Sequence, residues 1–246
     1  GADDNASGTA AMLITARKLK EWIASDQSPD DVRSFLFLGF DAEESGLRGS
    51  VEYTRAPTLS LESIQAMINL DMVGRMRNNE LSVSGVGSAE GFLDLIRPTF
   101  ESSGLTVRAD PSGRGPSDHA SFYAAGVPVL FLFTGSHPDY HRPADLAYRT
   151  NPAGAVRLIG LTEALSRQLA TQPNKLVFQS TARTAGRDRG YAAVRLGIQP
   201  GLVEGGEGVK IESVSEGTSA AEAGIEPGDV LLAWDGTLVE SVGSMM

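Results

Sequence analysis

Three short runs, almost wholly apolar and rich in aromatic or branched residues, constrain the fold most: Ser34–Phe40 (SFLFLGF), Ile64–Leu70 (IQAMINL) and Val127–Phe133 (VPVLFLF). Runs of this kind suit strands buried on both faces of a sheet, since a half-solvated strand would alternate apolar with polar. Helical patterns lie between and around them. From Asn5 to Ala24, Met12, Ala16, Leu19 and Ile23 form one stripe, with Asn5 or Ser7 available as cap. Further helices are predicted at 88–102 and 118–125. Another runs from Pro152, a favoured first helical residue, to Leu169. Strands alternating with helices imply an α/β domain with a central, mostly parallel or mixed sheet flanked by helices.

The rest of the chain narrows what that domain does. Its 246 residues carry a formal net charge of −10 and no run of Lys or Arg, a surface that repels phosphate backbones, so nucleic acid is a poor fit as a partner. The absence of cysteine excludes disulfides, thiolate metal sites and a cysteine nucleophile together. No stretch approaches the roughly 18 apolar residues of a membrane span. The chain opens at Gly1 inside a motif described below, so an upstream segment, and any targeting signal with it, is expected to precede it. From Thr171 the sequence turns polar and loses periodicity. We divide the chain into a first domain at 1–172, a linker at 173–188 and a small β-rich domain at 189–246.

In open α/β sheets chemistry gathers in the loops at the carboxyl ends of the strands. The first apolar run ends at Asp41-Ala-Glu43-Glu44, the second at Asp71, and the third at a loop carrying His137 and His141; the first helix begins with Asp3-Asp4-Asn5. Clustered carboxylates repel unless protonated, hydrogen-bonded or neutralised by a cation. A divalent ion resolves that conflict, and carboxylates mixed with imidazole and no sulfur favour zinc, manganese or cobalt over calcium. Neighbours leaving a strand point in different directions. One of Glu43 and Glu44 therefore suits a ligand and the other a general base that takes a proton from metal-activated water. Each piece alone has a bland reading: Asp-Asp at a helix start caps it, an acidic pair after a strand is a solvated turn, and a loop histidine is ordinary. Their joint occurrence in this order carries the argument.

Five stretches then resemble one family: Gly1-Ala-Asp-Asp-Asn-Ala-Ser-Gly8, Ala42-Glu-Glu-Ser-Gly-Leu-Arg-Gly-Ser50, Asn69-Leu-Asp-Met72, Ser117-Asp-His-Ala-Ser-Phe122 and His137-Pro-Asp-Tyr-His-Arg-Pro-Ala-Asp145. They resemble the di-zinc aminopeptidases, which include leucine-type aminopeptidases and glutamate carboxypeptidase relatives, over residues 1 to about 170. The resemblance implies a zinc exopeptidase fold and a metallo-aminopeptidase that hydrolyses N-terminal residues of peptides. It implies that Asp4 bridges two zinc ions, with a cis Asp4–Asn5 bond, and that Glu43 is the general base. Glu44 and His141 would complete one site with Asp4, and Asp71 would hold the second ion. That second ion would also take a histidine from the upstream segment, so residues 1–246 carry one complete three-ligand site and serve two ions only in the complete protein. Export to the periplasm or medium is a further expectation from the resemblance.

Several neighbours are candidates for supporting roles. Arg114 stands where relatives carry an oxyanion-stabilising tyrosine, and is either its substitute or a loop cation. Asp118 and His119 fit roles behind the ligands, and Asp145 either orients His141 or caps its turn. Asn5-Ala-Ser7 matches a glycosylation sequon by chance, since it falls at the metal-binding motif.

Residues 189–246 resemble the PDZ domains of bacterial proteases, through Leu196-Gly-Ile198, Val209-Lys-Ile211, Glu216–Gly224 and Pro227–Gly236. The resemblance implies a peptide or protein C-terminus held as an added strand beside Leu196, Gly197 and Ile198. Trp234-Asp235-Gly236 is a hairpin-turn signal, and the helix completing the groove would follow residue 240, so this domain is expected to be incomplete. The bland alternative is a small β-domain that only packs on its neighbour. For the whole chain, the alternatives are a single-zinc glutaminyl-cyclase-like or carboxypeptidase relative, or an inactive peptide-binding scaffold. A serine hydrolase is a poor fit, because no G-x-S-x-G elbow is present.

Overall fold

The computed structural model describes residues 1–181, 197–202, 208–214, 218–234 and 237–239. It divides into two units, Gly1–Ala182 and Arg183–Met246. In the first, β1 (Met67–Leu70), β2 (Glu80–Ser84), β3 (Thr106–Asp110) and β4 (Val129–Phe133) form a mixed sheet in the order β1-β4-β2-β3. β1 runs parallel to β4 and β2 parallel to β3, while β2 and β4 are antiparallel. The apolar composition of β4 suits its place between two strands, where Val129, Leu130 and Leu132 are fully buried.

Five helices accompany the sheet: α1 (Gly8–Ile23), α2 (Arg48–Arg55), α3 (Phe92–Ser102), α4 (His119–Ala124) and α5 (Pro152–Ala170). α5 starts as its sequence dictates, with Pro152 in the first turn and Asn151 Oδ1 accepting from Gly154 N at 3.0 Å. Leu158, Leu161 and Leu165 of α5 and Phe92 and Ile96 of α3 join Leu81, Val83 and Leu130 in the main core. A second cluster gathers Phe122, Tyr123, Val127 and Val129. Phe40 packs there, its ring 5.8 Å from Tyr53 and 5.9 Å from Phe122, which anchors the chain just before the Asp41–Glu44 turn.

Two expectations are corrected. Residues 34–40 form no strand and join no ladder among the described residues, and Leu36 and Phe37 are 48 % and 41 % exposed. Apolar composition gives a strand only where a neighbouring edge offers hydrogen bonds. This segment instead lines a cavity of about 730 Å³ opposite β1, α1 and α5. The buried face of α1 is Gly8, Ala11, Thr15, Leu19 and Trp22 rather than the stripe through Met12, Ala16 and Ile23. Small residues turn inward so that α1 can approach α5, and Lys18 Nζ reaches Glu163 Oε2 at 2.7 Å. The division between the two units falls within the expected linker at 173–188, and residues 173–181 belong to the first unit. Phe178 bridges to Ala89, Gln179 N donates to Ser88 O at 2.9 Å, and Tyr123 Oη accepts from Thr181 N at 2.7 Å. The remainder of that linker, 182–188, lies outside the described residues.

In the second unit, β5 (Ile198–Leu202), β6 (Val209–Val214) and β7 (Val230–Leu231) form an antiparallel sheet in that order. A short helix, α6 (Ser219–Glu222), and the pair β8 (Ala233–Trp234) and β9 (Thr237–Leu238) accompany it. Val209, Ile211, Ala220 and Val239 are buried. Gly197 has φ +75°, and a Cβ there would lie 2.2 Å from Thr218 Oγ1, so the turn into β5 requires glycine. Leu196, Asp235 and Gly236 lie outside the described residues.

Candidate metal centre

Asp4 leads into α1, and the Asp4–Asn5 bond is cis, as the motif implies. Asn5 ties this start to the end of β1: Nδ2 donates to Leu70 O at 3.0 Å, and Oδ1 accepts from Met72 N at 3.3 Å and from Gly8 N at 3.0 Å. Asp4 is thereby brought to the strand end that carries Asp71. His141 arrives from the loop after β4 with φ +54°, a left-handed conformation uncommon outside glycine. Ala42, directly before Glu43, and Met72, directly after Asp71, share that conformation, with φ +50° and +51°. Such backbone concentrates where a site fixes side-chain direction.

The donor atoms converge. His141 Nε2 lies 3.2 Å from Asp4 Oδ2 and 3.0 Å from Glu44 Oε2. One ligand atom each from Asp4, Glu44 and His141 falls within 4.8 Å of the others. Zinc bonds of roughly 2.0–2.2 Å in a tetrahedron place donors about 3.3–3.6 Å apart, so His141 Nε2 and the two carboxylate oxygens need to part only slightly to admit one ion between them. Asp71 offers a second sign of fit. Its Oδ2 accepts from Ser117 Oγ at 2.8 Å, while its buried Oδ1 has no hydrogen-bond partner among the described residues. A buried carboxylate oxygen without a partner is costly, and a cation satisfies it. The residues present therefore fit a zinc ion.

The proton affinities agree with an acidic cluster held for a cation. Desolvation first, then the charges of Glu44, Asp71, Asp118 and Asp4, raise the Glu43 pKa to about 8. Desolvation likewise raises Asp71 to about 6, against the lowering effect of the Ser117 hydroxyl. Glu44 is also pushed up by desolvation and then by Asp4, with His141 opposing. Glu43, Glu44, Asp4 and Asp71 share the wall of the cavity, whose other lining mixes apolar side chains such as Met12, Phe35, Phe37 and Met67 with polar ones such as Arg33 and Gln65.

The supporting candidates separate. Asp118 lines the same cavity, and its pKa is raised by desolvation against a hydrogen bond from Ser50. His119 is buried, stacked 4.4 Å from Phe131, with Nδ1 3.4 Å from Asn69 Nδ2. Burial takes its pKa to about 4, so it is neutral. His137 is buried beside Asp3 rather than in the cluster, its Nε2 3.2 Å from Asp3 Oδ2. Arg114 lies over the Tyr123 ring, 5.5 Å from its centroid, and does not line the cavity. Asp145 makes no hydrogen bond to the His141 side chain among the described residues; its Oδ2 accepts from the backbone N–H groups of Asp3 and Asp4, and its Oδ1 pairs with Arg75. Sequence reasoning missed Ser117 and Asn69, which donates to Ser117 Oγ at 2.7 Å, as supports of Asp71.

Acids and an imidazole that converge at the strand ends of a mixed α/β sheet form an arrangement suited to a divalent metal ion. The model of peptidase family M28 matches residues 1–165, and the chain belongs to that family. The PDZ domain model matches residues 189–246. Aminopeptidase YwaD of Bacillus subtilis (strain 168) is 34 % identical over 155 residues, covering 59 % of this chain and 32 % of that protein. The solved structure of BSAP, a zinc aminopeptidase from Bacillus subtilis, is 28 % identical with a TM-score of 0.59, over 73 % of this chain and 45 % of that one. Legionella pneumophila LapA, at 23 % identity and a TM-score of 0.57 over 70 % of this chain and 49 % of that one, shares the fold. The chain thus spans between about a third and half of the length of these relatives. Among the described residues, no helix is long and apolar enough to cross a membrane.

Proposed function

We propose that the first unit is the catalytic part of a zinc-dependent aminopeptidase, with Asp4, Glu44 and His141 holding one ion and Asp4 and Asp71 serving a second. The observation that carries this reading is the convergence of Asp4, Glu44 and His141 donor atoms beside a second acid, Glu43, that no ion pair engages among the described residues. When bound, zinc supplies Lewis-acid polarisation of the scissile carbonyl and lowers the pKa of water to about 7.

The chain's own residues supply the rest. Glu43, with a raised pKa in the metal-free cluster, accepts a proton at neutral pH once a cation is present and returns it to the leaving amine. The anionic cluster attracts the free α-ammonium of a peptide, which supports amino-terminal over carboxy-terminal specificity. The apolar part of the adjoining cavity, formed by residues such as Met12, Phe35, Phe37 and Met67, gives an apolar N-terminal side chain a place to bury. The PDZ-like unit would hold a peptide by strand addition at Gly197 and Ile198 and the adjoining Leu196.

The test is hydrolysis of paired peptides, identical but for a free or acetylated N-terminus, before and after chelation and zinc restoration. Zinc-dependent cleavage of the free-amine member alone is the expected result. Cleavage of both members, or of neither by protein that has taken up zinc, rejects the aminopeptidase reading. Metal stoichiometry in the same preparation distinguishes one ion from two.

A further inference from the structure

Arg75 belongs to none of the motifs that mark the site, yet it is 7 % exposed and makes two close ion pairs. Its Nη1 lies 2.7 Å from Asp139 Oδ2 and its Nη2 2.6 Å from Asp145 Oδ1. Both carboxylates stand on the loop that carries His141, one on either side of it. The second oxygen of Asp145 reaches the other half of the site, accepting from Asp3 N at 2.8 Å and Asp4 N at 3.0 Å. Ala2 N also donates to Asp145 O at 2.9 Å. A continuous path of short polar contacts thus runs from the His141 loop, through one guanidinium and one carboxylate, to the backbone of Asp4.

We propose that Arg75, acting through Asp145, is a positioning residue that fixes Asp4 relative to His141 and so sets the affinity of the metal site. This rests on the reading of Asp4 and His141 as zinc ligands. Two features of the geometry favour it over simple packing. The planar guanidinium fork binds two carboxylates in different directions at once, which an ammonium cannot do with the same rigidity. And Asp145 grips main-chain N–H groups of Asp3 and Asp4, so a displaced Asp145 moves the ligand's backbone, not merely its side-chain surroundings. Outer contacts of this type commonly change metal affinity by about 10–100-fold.

The experiment titrates the metal-free full chain with zinc against a chromophoric competitor and records the thermal midpoint of each metal-free protein. The variants are Arg75→Met, Arg75→Lys and Leu165→Ala, the last a fully buried core residue of α5 that serves as a stability control. Arg75→Met is expected to lose roughly 10–100-fold in zinc affinity, and Arg75→Lys to recover only part of it. Leu165→Ala is expected to lower the midpoint while keeping the parent's affinity. Parent-like affinity in Arg75→Met overturns the proposal, as does a single relation between affinity and midpoint that includes Leu165→Ala. If Arg75→Met does not fold, Arg75→Lys decides: unchanged affinity overturns the proposal and a fall of about tenfold sustains it. A parent chain that takes up no zinc overturns the metal-site reading itself, a result seen before any variant is compared.

Discussion

Ser117 donates its hydroxyl to Asp71 Oδ2 at 2.8 Å, and Asn69 Nδ2 in turn donates to Ser117 Oγ at 2.7 Å. This chain of two bonds holds one oxygen of Asp71 and leaves the other, Oδ1, buried and free to face a cation. Burial already raises Asp71 to about 6, with the Ser117 bond opposing that rise. In Ser117→Ala the opposing bond is gone, so the Asp71 pKa climbs further and zinc must displace a more tightly held proton. We expect zinc affinity to fall by about 10-fold or more, with the deficit larger at pH 6.5 than at pH 8. Competitive zinc titrations at the two pH values check this; a deficit that does not widen at the lower pH excludes the mechanism.

Glu43→Gln separates proton transfer from metal binding. The amide keeps the shape of the side chain but accepts no proton, and the converging ligand set of Asp4, Glu44 and His141 is untouched. Turnover of a free-amine peptide is expected to fall by roughly 10²–10⁴-fold, with zinc content equal to that of the parent. Metal analysis beside steady-state rates decides it: retained turnover removes Glu43 from its assigned role.

The cluster of acids and imidazole was legible because its members sit at strand ends and at a helix start, in short motifs with little tolerance for rearrangement. Asp4, Glu44 and His141 are brought together from three separate motifs as those motifs imply. The strand at 34–40 was not legible. Its composition specifies burial, whereas strand pairing depends on a neighbouring edge that no local pattern encodes. β2 and β3 went unread for the opposite reason: ELSVS and TVRAD mix polar and apolar residues over five positions, too few for a period to stand out. Arg75 was invisible because an arginine that links two loops carries no sequence spacing at all. The inward face of α1 was misread by about one residue, since Ala11 and Thr15 are chosen for smallness at a helix contact rather than for hydrophobicity.

The pH dependence of the metal-free protein follows from Glu43. Its folded pKa, about 8, lies above the ordinary value of 4.5 that the unfolded chain keeps. Between those values the folded state holds a proton that the unfolded state has released, so stability declines as pH rises through this window. The Asp71 shift acts in the same direction between 3.8 and about 6. Metal-free protein should therefore have a higher thermal midpoint at pH 5.5 than at pH 8. Saturating zinc should shrink or reverse that difference, because a cation favours the deprotonated carboxylates. Zinc uptake near pH 7 should release protons, which calorimetry in buffers of different ionisation enthalpy measures directly. A midpoint that rises with pH in the metal-free state contradicts the assignment.

Gly8 and Gly160 make a paired test of how the first helix sets the site. A Cβ on Gly8 would lie 2.1 Å from Leu70 O and 2.4 Å from Asn5 Oδ1, so Gly8→Ala forces α1 away from the end of β1. Overpacking of this kind costs about 1–3 kcal/mol, and the nearest atom the new Cβ meets is the Leu70 backbone carbonyl oxygen, which cannot swing aside as a side-chain end could. The same displacement separates Asp4, four residues before Gly8, from Asp71, the residue after Leu70. Gly160, on the exposed side of α5, has nothing within 4 Å of its added Cβ. There Gly→Ala gains helix propensity and is expected to stabilise by about 0.4–1 kcal/mol, with zinc affinity unchanged. Thermal denaturation combined with zinc titration should show Gly8→Ala losing both stability and affinity while Gly160→Ala gains the first and leaves the second alone. If Gly8→Ala kept full zinc affinity, the close approach of α1 to β1 would be a packing detail and not the means by which Asp4 meets Asp71.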